Sequence, residues 1–283
     1  MTTWVSFPKL PVKPALDRLW VMDPLRIAIA GYGAIGRAVA MPLIAGIPGL
    51  RLTAIGVRHP VEAPAPRIAV VPSEVLADYA DIVVECAPAA ALPGIAEPAL
   101  RAGRTVVVLS CAALLRHPEL IDLAREHGGR ILVPTGALLG LDAVLAAAEG
   151  TIHSVRMTTR KPPSGLMGAP HLVTNGIDVS NLAEPLRVFS GTARDAAVGF
   201  PANVNVAAAL SLAGIGPDRT TIDIWADPSV TRNVHRIEVD SDAAYFSMQI
   251  ENVPSENPKT GRITAQSVLA LLRKLRNPLA VGT

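Results

Sequence analysis

Hydrophobic positions along the chain fall into two regimes. Up to about residue 134 they form short, nearly unbroken runs separated by helical stretches. The run RIAIA at 26–30 is apolar at almost every position, as a strand covered on both faces must be. The loop GYGAIG follows at 31–36, then a helical stretch from 37 to about 45 and a second strand at 50–57. After a proline-rich connection (60–72), Ser73 is placed to cap a short helix ending near Tyr79. Strands at 81–87, 105–110 and 130–133 then alternate with helices at 92–102 and 118–127. Such alternation predicts an α/β fold with a Rossmann-type doubly wound parallel sheet.

Beyond residue 134 the pattern changes. Residues 136–148 read as a helix, and polar-alternating stretches follow at 152–160, 221–226, 235–241 and 244–251. Alternation marks half-buried strands, mostly antiparallel. Helical segments are expected at 204–212 and 263–276. The expected organisation is an N-terminal arm at 1–25 and a dinucleotide-binding domain at 26–134. A second α+β domain is expected at 135–260, with a C-terminal helix within 261–283 packing back onto the first domain.

Composition narrows the partners. The net charge of +2 is scattered, with no basic stripe for nucleic acid and no polybasic patch for a membrane surface. No apolar run reaches the ~18 residues of a spanning helix without polar or proline interruption. The first 25 residues carry four prolines and two tryptophans, Trp4 and Trp20, and lack the pattern of a signal peptide. Two cysteines, Cys86 and Cys111, show no metal-ligand spacing, so a reducing, cytoplasmic setting is expected.

The glycine loop carries the first chemistry. In a G-x-G-x-x-G turn between strand and helix, Gly31 makes the tight turn and Gly33 admits a pyrophosphate to the backbone. Gly36 lets the helix pack closely on the strand. With Ala34 and Ile35 between them, these are the cofactor-binding candidates for NADP or NAD. An acid is expected about 20 residues on, where NAD-preferring sites hold the ribose hydroxyls. The sequence there is Gly56-Val57-Arg58-His59. Arg58 is either a partner for a 2′-phosphate, which favours NADP, or a solvated loop charge.

Three later segments are more specific: GFPANVNVA at 199–207, ADP at 226–228 with NVH at 233–235, and ENVPSENPKT at 251–260. With the glycine loop they resemble the L-aspartate dehydrogenase family, from about residue 26 to the C-terminus. The resemblance implies NAD(P)-dependent interconversion of L-aspartate with oxaloacetate plus ammonia through iminosuccinate. It also implies a link to NAD biosynthesis and a homodimer, here expected through the exposed side of the second-domain sheet. It matches His235 to the catalytic histidine, and Asn205 and Ala137 to cofactor-contacting positions. An imidazole suits such a proton shuttle, since it both gives and takes a proton near neutral pH. Asp227 is a candidate orienter for it, or simply a turn residue before Pro228.

Two carboxylates call for cations. The candidates are Lys161, Arg232 and Lys259, with Arg160 and Arg236 behind them. Two rival readings remain. Cys111, after a strand, suits the thiolate nucleophile of a semialdehyde dehydrogenase. A non-catalytic NADP(H)-binding sensor would need only the glycine loop.

Overall fold

The structure, a computed structural model, describes residues 23–59, 61–201, 204–254 and 261–282. The arm residues 1–22, Asn203 and Lys259 therefore lie outside the described residues.

The first sheet is parallel and has the order β3-β2-β1-β4-β5-β6. Its strands are β1 (Leu25–Ala30), β2 (Leu50–Gly56), β3 (Ala69–Val71), β4 (Ile82–Glu85), β5 (Thr105–Val108) and β6 (Arg130–Leu132). The strand order reverses beside β1, where such sheets bind nucleotides. Alternation within the strands divides the interior. Ala28, Ala54, Val83 and Val106 pack under α2 (Leu92–Arg101) and α4 (Glu119–His127). Ile27, Ile29, Ile55, Val84 and Val107 face α1 (Ala34–Ala45) and the C-terminal α9 (Ile263–Lys274). Ala265, Val268 and Leu272 of α9 belong to that same core.

The second sheet has the order β11-β10-β7-β9-β8. Its strands are β7 (Ile152–Lys161), β8 (Leu186–Thr192), β9 (Thr220–Ala226), β10 (Asn233–Ser241) and β11 (Tyr245–Asn252). All neighbours run antiparallel except β7 and β9. Its inner face packs on α5 (Leu141–Ala148), α7 (Ala193–Gly199) and α8 (Asn205–Ala213), with Phe200, Met157 and Leu210 wholly enclosed. Two short helices, α3 (Cys111–Leu114) and α6 (Pro170–Thr174), complete the described helices longer than a 3-10 turn.

Four local expectations change. The helix expected over 136–148 begins only at Leu141, because Gly136 and Gly140 both adopt positive φ and turn the chain. Ser73 caps nothing; it is the first residue of a 3-10 turn whose cap position is Pro72. The first helix starts at Ala34 rather than 37, so Gly36 sits in its opening turn. Strands β3 and β8, and helices α3, α6 and α7, were not expected.

The rooting of α9 in the first sheet's core has a measurable consequence. Leu272 is fully buried, whereas Leu279, just beyond the helix, is 75% exposed. Leu272→Ala should lower unfolding stability by about 2–5 kcal/mol in urea titration. Leu279→Ala should stay within about 0.5 kcal/mol of the parent.

Candidate active site

The carboxyl ends of the central strands lie level. Ala30 is in register with Gly56 on one side and Glu85 on the other, and Glu85 with Val108. Gly31 leaves this edge with φ +96°, and a Cβ on it would stand 2.7 Å from the Cys86 carbonyl oxygen. At Gly36 a Cβ would be 2.0 Å from the Gly31 carbonyl oxygen. Both positions therefore exclude any side chain. Gly33 is different: nothing lies within 4 Å of where its Cβ would be. It is the cap residue of α1, and no side chain caps that helix. An open glycine before uncapped N–H groups fits a cofactor pyrophosphate.

A cleft opens beside this loop. Its walls include Ile35 from α1, Leu109 and Cys111 after β5, and Thr135–Ala137 after β6. Asn205 and Val206 at the start of α8 face them, with Lys161, Asn233 and His235 from the second sheet. Register explains why those last residues meet. On the inner face, Ile250, His235, Thr159 and Ile224 form one transverse row. The adjacent row, at the sheet's end, starts with the pair Asn252 and Asn233 and includes Lys161 beside Ala226.

His235 is 2% exposed and shares a 3.1 Å hydrogen bond through Nδ1 with the Thr159 hydroxyl. That contact sets the ring's orientation. Burial, together with the nearby Lys161 ammonium, pushes its pKa down to about 3. Lys161 is 4% exposed, and burial lowers its pKa to about 8. The site thus holds a neutral imidazole near a strongly desolvated amine.

Backbone positions around the cleft are tied by side chains. The Asn205 carbonyl oxygen (Oδ1) accepts the Ala112 amide at 3.1 Å. Asn252 donates to the Ala137 carbonyl at 2.8 Å, and Gly136 donates its amide to the Ser267 hydroxyl of α9 at 3.0 Å. Both halves of the chain therefore hold the loop after β6.

Other candidates separate from this cluster. Arg232 is exposed, before β10, and does not line the cleft. Arg58 is exposed just past the end of β2, at the opposite side of the glycine loop from the cleft. Asp227 does not touch His235. It pairs with Arg160 at 2.8 Å and accepts from the Ser229 amide and hydroxyl, a turn role. Arg160 is thereby engaged and lies over the Trp225 ring. Arg236 pairs with Glu238 on the outer face. Cys111 does line the cleft, yet burial and the nearby Glu85 push its thiol up to about 12, and its Sγ lies against the Val108 carbonyl. A protonated thiol is a poor nucleophile, which removes support for the semialdehyde dehydrogenase reading. Sequence reasoning passed over Thr159 and Glu85, and gave no role of their own to Asn233 and Asn252 within the NVH and ENVPSENPKT segments.

The burial of Lys161 and His235 has a pH signature. The unfolded chain binds protons more tightly than the folded one at both groups. For Lys161 the penalty is absent above pH 10.5, develops down to about 8 and persists below. Replacing it by methionine should therefore raise stability at pH 7, by roughly 3 kcal/mol, with the gain shrinking as pH rises towards 10.5. For His235 the penalty is absent above pH 6.5 and grows as pH falls towards about 3. Thermal melts of His235→Gln should accordingly lose less stability than the parent over that acid range.

Comparison with known proteins agrees with this architecture. Residues 142–275 match the family model described as aspartate dehydrogenase, C-terminal. Residues 31–134 match the one described as homoserine dehydrogenase, NAD binding domain. An L-aspartate dehydrogenase of Bradyrhizobium diazoefficiens is 58% identical, over 95% of this chain and 100% of that protein. L-aspartate dehydrogenase 3 of Bordetella bronchiseptica is 59% identical, over 92% and 98%. Among solved structures, the aspartate dehydrogenase of Thermotoga maritima is similar in fold, with a TM-score of 0.70 at 24% identity, covering 91% of this chain and 99% of that one.

Proposed function

The chain belongs to the L-aspartate dehydrogenase family, and on that premise we propose how its own residues perform the reaction. It is an NAD(P)-dependent oxidoreductase acting on a CH–NH2 donor. The reaction is the interconversion of L-aspartate with oxaloacetate plus ammonia, through iminosuccinate. The observation that carries the assignment of roles is the buried pair of His235 and Lys161 at a cleft that also reaches Ile35 of the glycine-loop helix.

In this reading Gly31, Gly33, Ala34, Ile35 and Gly36 hold the pyrophosphate, and Asn205 and Ala137 border the nicotinamide. Bound NAD(P) supplies hydride chemistry at substrate C2. Lys161 receives one substrate carboxylate, and the ion pair so formed offsets the cost of its burial. With Lys161 neutralised and a dicarboxylate beside it, the imidazole of His235 regains proton affinity. His235 then takes a proton from the water that adds to C2 of iminosuccinate and returns it to the departing amine. Thr159 keeps the ring aimed during both transfers. Arg232, exposed and off the cleft, has no part in this scheme, and Lys259 lies outside the described residues. A pure cofactor sensor would have no use for a buried ammonium and a buried imidazole side by side.

Residues 26–134 with α9 serve as the cofactor domain and 135–260 as the substrate domain. Arg58, with no acid near the end of β2, favours the 2′-phosphate of NADP. The reducing, cytoplasmic setting is supported by two unpaired cysteines. A homodimer through the open side of the second sheet is part of this reading; Tyr245, 67% exposed on edge strand β11, lies on that side.

Purified protein with oxaloacetate and ammonium at alkaline pH should oxidise the reduced cofactor only when ammonium is present. His235→Ala should abolish at least about 99% of that rate. Arg58→Ala should shift the ratio of NADPH to NADH affinity towards NADH; an unchanged ratio overturns the role given to Arg58. Light scattering should return twice the 29.6 kDa chain mass, and a monomer would overturn the dimer.

A further inference from the structure

Glu85 ends β4 and has no exposed surface. Its Oε1 accepts the Ala87 amide at 3.1 Å and the Ser110 hydroxyl at 3.0 Å. Its Oε2 accepts the amides of Leu109 at 3.1 Å and Ser110 at 2.9 Å. Burial pushes this carboxyl's pKa upward, against the pull of the four donors. Retaining an acid in such a place is costly, and an apolar side chain would leave three amides without acceptors.

The joint it makes has a particular location. Strands β4 and β5 are paired only up to Glu85 and Val108, so the loops beyond them share no ladder. Glu85 ties those two loops together. On one side, Cys86 is the backbone against which Gly31 packs. On the other, Leu109 and Cys111 form a wall of the cleft, and Ala112 donates to Asn205 at the start of α8. In a doubly wound sheet the β1–β2 side takes the adenosine half of a dinucleotide, and the far side of the switch point takes the other half.

We propose that Glu85 is a positioning residue for the nicotinamide half of the cofactor, gripping the backbone at 87, 109 and 110 so that the cleft wall meets that half in one fixed arrangement. The proposal rests on the cofactor reading given above. A carboxylate is required because acceptors are needed at both oxygens. Glutamine offers one acceptor oxygen and one NH2 group. In its least damaging orientation the oxygen keeps the Leu109 and Ser110 amides and the NH2 turns to the Ser110 hydroxyl. The Ala87 amide then faces a donor.

Calorimetric titration of the full-length protein separates this role from general packing. The ligands are NADPH and NADH, and the matching fragments without nicotinamide, 2′-phospho-ADP-ribose and ADP-ribose. For whichever cofactor the parent binds more tightly, Glu85→Gln should weaken binding by about tenfold or more. Its fragment should change by less than about twofold, since it engages only the glycine-loop side. Ser110→Ala removes one donor and keeps the carboxylate; it should weaken the whole cofactor by about threefold with the same selectivity. If Glu85→Gln fails to fold, Ser110→Ala decides alone. Equal losses for cofactor and fragment, or no loss for the cofactor, overturn the proposal. A parent protein that binds neither the cofactor nor its fragment overturns the cofactor reading, and this proposal with it.

Discussion

The carbonyl of Cys86 leaves no room for a side chain at position 31, and much of the site follows from that contact. A loop must leave β1 and turn at once over the end of β4. Only glycine allows both the approach and the φ of +96°. The turn delivers Gly33 to the start of α1, and Gly36 lets that helix settle on the strand's end. Three glycines thus do different work, two by close packing and one by leaving space. The same edge carries Glu85, whose carboxylate holds the next two loops. Phosphate loop and cleft wall are therefore parts of one backbone assembly.

The second sheet meets this assembly with the end of its inner face. Most of that face is apolar: Met157, Ile237, Val239 and Ile222 pack on α5 and α8. The two rows at the cleft end gather the polar side chains Thr159, His235, Lys161, Asn233 and Asn252. These rows are where the loop after β6 and the start of α8 approach. Burying an amine and an imidazole there lowers the stability of the free protein, as residues kept for chemistry commonly do. Their depressed proton affinities are the visible cost of that burial, and in the proposed scheme the charge of a bound dicarboxylate offsets it.

Periodicity made the fold legible because the strands of the first sheet are buried on both faces and those of the second on one. What escaped was short or interrupted. β3 is only Ala69–Val71, after a proline-rich stretch, and β8 contains a glycine and a register shift beside Phe189. Residues 136–140 carry helix-forming leucines, yet the positive φ of Gly136 and Gly140 overrides them. In the site, motif and resemblance picked out His235, Asn205 and Ala137, all at the cleft. Cation chemistry could not separate Lys161 from Arg232, because which lies on the inner face depends on strand register. Thr159 and Glu85 gave no signal at all. One reads as a polar residue in an alternating strand and the other as an acid inside an apolar run. Only pairing across β7 and β10, or across β4 and β5, gives them partners.

The same register argument bears on cofactor choice. Gly56, at the end of β2, packs against the 3-10 turn at Ser73–Asp78: a Cβ there would meet Leu76 and Ser73 within 3 Å. The chain therefore leaves β2 closely pressed on that turn; Val57 packs on the core, and Arg58 is the first exposed side chain beyond it. An aspartate or glutamate there would accept from the ribose hydroxyls and repel a 2′-phosphate. Valine does neither, and arginine offers a forked donor to a phosphate. With the acid missing, discrimination against NADP lacks its usual repulsive element, and selectivity depends on how much attraction one exposed guanidinium supplies. Attraction at an exposed site is screened by salt. Cofactor preference in this protein should therefore be graded rather than absolute, and should weaken as ionic strength rises.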